Sequence, residues 1–180
     1  MSSIVVSGDT SGSVTLSAPA VAGSTTLTLP STSGTVLTNK TAGTVLQVVN
    51  ATYSTTFTST SSSSFVDSGF SASITPSSST SKILCEVHMT GNSKDATSAN
   101  TAFQLVRGST AIIQFEGRGG YSATSVTSSY GSCSTTYLDS PATTSSVTYK
   151  VQIANAGGAG VVYFNTSSSV SSMTLMEIAA

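Results

Sequence analysis

A chain of 180 residues with only 7% charged residues and a formal net charge of −1 has room for one domain and a small arm, and its solubility must come from hydroxyls and backbone rather than charge. The basic residues Lys40, Lys82, Lys94, Arg107, Arg118 and Lys150 are scattered and matched by acids, which excludes the footprint of a nucleic-acid binder and the basic run of a membrane-surface protein. A polar chain of low net hydrophobicity can be disordered, but 38% of residues are apolar and they fall in short alternating runs, the pattern of folded β-structure.

The N-terminal stretch Met1-Ser-Ser-Ile-Val-Val-Ser-Gly-Asp9 has no basic region and no long apolar run, so it does not read as a secretory signal. No window reaches the ~18 apolar residues of a membrane-spanning helix. Residues 1–42 read as an arm of short β-runs: Ile4–Val6, Ser13–Leu16, Thr25–Leu29 and Gly34–Leu37. Alternation puts Val14 and Leu16 on one face, and Leu27 and Leu29 likewise. Strands this short bury too little surface to stand alone and need a docking partner.

Residues 43–180 carry longer strands. Val45–Tyr53 is one; Ser64–Ile74 is another, with Gly69 at a bulge. Along Lys82–Thr90, Ile83, Cys85, Val87 and Met89 share one face and Leu84, Glu86 and His88 the other. Gly91–Asn100 reads as a polar loop. Thr101–Phe115 reads as a hairpin, with Phe103 and Leu105 before the turn, Ile113 and Phe115 after it, and Gly108 where positive φ is needed. Gly117–Tyr121 is a turn, Val126–Asp139 holds one or two strands, and Pro141 stops them. Ser146–Ala154 alternates cleanly; Val161–Asn165 is expected to pair back across the Ala156–Gly160 turn. Ser172–Ile178 places Met173, Leu175 and Glu177 on one face. Helix formers are rare and β-branched residues abundant. Roughly eight body strands predict an all-β, antiparallel, jelly-roll-like sandwich.

The chemistry is sparse. His88 is the one histidine, and no second His or cysteine pair gives metal spacing. Cys85 and Cys133 read as free thiols. The acids are dispersed, and neither a nucleophile elbow nor a phosphate-binding glycine loop occurs. The expectation is no enzyme, with no catalytic residue, metal or cofactor. Asn39, Asn50 and Asn165 fit the glycosylation pattern only as chance in a Ser/Thr-rich chain. The candidate ligand contacts are Arg118 in Gly117-Arg-Gly-Gly120 and the aromatic faces of Tyr121 and Tyr130, which could stack on sugars.

Two stretches carry a resemblance. The arm from Ser7-Gly-Asp-Thr-Ser-Gly-Ser-Val-Thr-Leu16 to Leu27-Thr-Leu-Pro-Ser-Thr-Ser-Gly-Thr-Val-Leu37 resembles a segment of tail-fibre and related virion proteins of tailed bacteriophages, notably cyanophages. In the body, Gly43–Val49, Phe65–Gly69, Ser71–Ser79, Ser81–Leu84, Gln104–Thr110, Tyr137–Pro141 and Thr174–Ile178 resemble phage fibre-tip or virion-surface modules. The resemblance implies a β-rich homotrimer mounted on the virion by its N-terminal segment, assembled in the host cytoplasm without membrane insertion. Its implied partners are tail, baseplate or capsid proteins and a host surface glycan or protein. It implies a tail-fibre or receptor-binding role, with a trimeric capsid decoration protein as the alternative, since the chain has no long shaft or coiled coil.

Overall fold

Alternation as strict as that of Lys82–Met89 or Val147–Ile153 is satisfied by strands that turn one face to a core. The computed structural model describes residues 3–17, 20–21, 23, 31, 41–59, 63–120, 129–157 and 159–180. The described residues form strands and connections without helix, and among them no helix is long and apolar enough to cross a membrane. The chain divides into two compact units, Met1–Val36 and Leu37–Ala180. The expected runs Thr25–Leu29 and Gly34–Leu37 lie outside the described residues.

The first unit contains an antiparallel ribbon of β1 (Ser3–Ser7) and β2 (Ser13–Ser17), in register Ile4↔Leu16 and Val6↔Val14. Ile4, Val5, Val6, Val14 and Leu16 are all more than half exposed. A two-stranded ribbon is marginal in water without a covering surface.

The second unit is a sandwich of two antiparallel sheets. Its long strands are β3 (Val45–Tyr53), β5 (Val66–Ile74), β6 (Lys82–Lys94), β7 (Thr101–Arg107), β8 (Thr110–Gly119), β9 (Ser129–Asp139), β10 (Val147–Asn155) and β12 (Ser171–Ile178). One sheet runs β3-β12-β6-β9, and the other β5-β10-β7-β8. The short β4 (Phe57–Ser59) and β11 (Val162–Phe164) extend the first sheet along the β6 edge that β12 leaves open. Among the long strands, first pairs with eighth, second with seventh, third with sixth and fourth with fifth. That is one long antiparallel hairpin rolled over two sheets, the jelly-roll order.

Inward side chains meet between the sheets. Phe70, Ile83, Val87, Met89, Phe103, Leu105, Tyr149, Val151, Phe164, Met173 and Leu175 are buried there. Phe103 stacks on Phe115 at 6.0 Å and meets Phe164 edge-on at 6.2 Å. Each large apolar side chain so buried contributes about 1.5–3 kcal/mol.

The Thr101–Phe115 hairpin forms as expected. Arg107 pairs with Thr110, leaving Gly108 and Ser109 as the loop, with Gly108 at φ 57°. Glycine at the first loop position with positive φ is the type II′ requirement. The bulge expected around Gly69 is also present, as the register shifts between Lys150 and Gln152 opposite it.

Three expectations are corrected. The Gly117–Tyr121 stretch is not all turn: β8 runs on to Gly119, which pairs with Thr101 of β7. Gly91–Asn100 is not all loop: β6 continues to Lys94 through a register shift between Met89 and Asn92. The continuation is held by β9 on one edge and β11 on the other, which outweighs the polar local sequence. β11 does not pair back onto β10, because both β10 edges are taken by β5 and β7; it pairs with β4 and β6 instead.

Candidate functional site

The two ends of the sandwich are built differently. At one end an inward-facing row runs Gln47–Glu177–Ile83–Asp139 across β3, β12, β6 and β9. Glu177 is fully buried. Gln47 Nε2 donates to its Oε2 at 2.6 Å, and Ser77 N and Oγ donate to its Oε1 at 2.8 and 2.7 Å. Burial alone would raise this carboxyl, but hydrogen bonds from Gln47, Ser77 and Ser81 prevail and hold it down to about 2.

From the facing sheet, Arg107 Nη1 donates to Asp139 Oδ1 and Oδ2 at 2.8 and 2.7 Å, and Tyr149 OH donates to Oδ2 at 2.6 Å. Burial, reinforced by the hydrogen bond to Asp139, pushes the Tyr149 phenol well above its ordinary range. The hydrogen bond to Asp139 raises the Arg107 guanidinium. These groups spend their valences on one another and pin the sheets together. A cavity of about 400 Å³ at this end is walled by Leu46, the Ser77–Ser81 loop and Ala179–Ala180, with no titratable side chain in its lining.

The opposite end carries a second concavity. Between β6 and β9 of one sheet and β7 and β8 of the other lies a polar cleft of about 150 Å³. Strand register assembles it: Asn92 faces Gly131, Ser93 faces Tyr130, and Thr101 faces Gly119. Its walls include Asn92, Lys94, Thr101, Glu116, Tyr130 and Ser132. Glu116 is fixed in place, since Gly117 N and Arg118 N both donate to its Oε1, at 2.9 and 3.0 Å. Lys94 is buried and donates to Thr97 O at 3.1 Å. Asn92 Nδ2 donates to Met89 O at 3.3 Å, while its Oδ1 has no partner among the described residues. The Tyr130 ring is 70% exposed.

Of the sequence candidates, Tyr130 lines this cleft and Arg118 adjoins it, exposed on β8; Tyr121 lies outside the described residues. Lys94, Asn92, Thr101 and Glu116 were missed. No local motif marks them, because the cleft exists only through long-range register. His88 is on the outer face, 3.2 Å from Glu86. Cys85 and Cys133 are free; Cys133 pairs opposite Met89, four residues along β6 from Cys85, or roughly 13 Å of strand. Burial pushes both thiols up to about 12, so both are protonated and poorly nucleophilic at neutral pH. Among the described residues no three His, Cys, Asp or Glu side chains gather as a metal-holding group.

No protein-family model matches this chain, and no curated protein matches it. Among solved structures it is similar to one described as the structure of the infectious bursal disease virus Gx strain. That likeness has 15% identity and a TM-score of 0.29, covering 98% of this chain and 46% of that one.

Proposed function

We propose that this chain is a non-catalytic structural component of a phage virion, a homotrimeric tail-fibre or receptor-binding protein that mediates adhesion to the host surface. The N-terminal unit attaches it to tail, baseplate or capsid proteins, and the jelly roll meets the host. The observation that carries this reading is the polarity of the jelly roll. The chain enters at the Glu177 end, where Gly43 N donates to Ala179 O at 2.8 Å and Ala179 N donates to Thr44 O at 2.9 Å. The cleft lies at the other end of β6, roughly 40 Å of strand away. A module tethered at one end and carrying a polar cleft at the other suits adhesion. The exposed apolar side chains of β1 and β2 support attachment, since a ribbon with edges unpaired among the described residues can take up another sheet by strand addition.

Self-association, which a trimer needs, has its own support. On the outer face of the first sheet, Val48, Met176, Leu84 and Leu138 stand in one cross-strand row, with Val48 58% and Leu138 49% exposed. Lys82 and Glu86 flank Leu84 on β6, so a second copy of the chain supplies both apolar surface and opposite charges. Three identical weak sites then act together as avidity.

The test is competition. Purified protein should bind susceptible cells and block infection by the phage that carries it. Absence of binding at high trimer concentration would overturn the adhesion reading.

A further inference from the structure

We infer that the polar cleft between β6, β7, β8 and β9 is a binding site for a neutral pyranose unit. The inference takes its biological meaning from the adhesion reading and adds the site and the ligand class. Lys94 and Glu116 bring one cation and one anion into the same small space. An anionic ligand meets the carboxylate and a cationic one meets the ammonium. A neutral ligand bearing hydroxyls avoids both clashes and donates to Glu116. Glu116 is preorganised for this, because two backbone amides fix one of its carboxylate oxygens. Thr101 and Ser132 add hydroxyls at the wall.

Size and shape narrow the class. About 150 Å³ holds one sugar ring and is well below the roughly 300 Å³ at which drug-sized pockets begin. Tyr130 lines the same cleft yet leaves most of its ring in solvent. An exposed aromatic face beside hydroxyl-matching groups suits a pyranose, which is apolar on its C–H face and polar around its rim.

Saturation-transfer NMR on the full chain, with methyl glucosides, galactosides and mannosides as probes and N-acetylneuraminic acid as the anionic counter-probe, tests the inference. At least one neutral pyranoside should bind and the anionic sugar should not. Tyr130→Ala and Glu116→Gln should each weaken binding about tenfold or more. Tyr130 is exposed, and glutamine keeps the acceptor for the two amides, so both variants should melt with the wild type. Binding of no neutral pyranoside, preference for the anionic sugar, or binding that survives both variants would overturn the inference.

Cell binding separates this from the broader reading. If Tyr130→Ala binds cells as well as wild type, the cleft is not the site and adhesion stands. If pyranosides bind the cleft and the protein binds no cells, the site stands and adhesion falls.

Discussion

Glu177 and Asp139 close one end of the sandwich, and each has a testable consequence. The Glu177 carboxyl sits at about 2 against its ordinary 4.5, so its ionised form is the one the fold stabilises. That contribution is complete above about pH 5, is lost as pH falls towards 2, and amounts to something on the order of 3 kcal/mol. Urea melts across this window should show wild type losing stability as acid is added. Glu177→Gln should start weaker at pH 7 and lose less on acidification. Asp139→Ala removes the anion that Arg107 and Tyr149 share and should cost about 3 kcal/mol or more, read as a shift in urea midpoint. The inward position of Glu177 is legible from its alternation with Met173 and Leu175. Its partners are not, since Gln47 and Ser77 are 130 and 100 residues away.

At the scale of elements, β3, β7, β10 and β12 are legible because alternation, turn residues and Pro141 all agree. β6 is the instructive exception. Local composition favours a loop from Gly91, yet pairing on both edges draws the strand on to Lys94. Gly91 permits this by taking φ 60°, with Thr166 N and O each 2.7 Å from where a Cβ would stand. Gly91→Ala combines backbone strain with a clash and should destabilise by about 3 kcal/mol, measured by thermal or urea unfolding. The same extension carries Asn92 and Lys94 to the cleft, so the sequence reading that ended the strand early also lost half the site. Tyr130 was visible as an aromatic in a polar stretch; its neighbours were not, because their proximity depends on the pairing of β6 with β9.

For the whole molecule, the jelly-roll class follows from strand count and turn spacing, while the order of the strands needed the structure. The outer row of Val48, Met176, Leu84 and Leu138 predicts self-association. Light scattering should give three times the 18.0 kDa chain mass. Leu138→Glu with Val48→Glu should shift the protein to monomer with its fold intact, since both side chains are exposed; a wild-type monomer would remove trimerisation from the proposal. Cryo-EM of the intact particle with a count of copies tests the central claim most directly. A few trimers at the tail, with the cleft end outward, are the predicted result. Hundreds of copies spread over the shell would contradict adhesion and assign capsid decoration, and absence from the particle would contradict the virion reading itself.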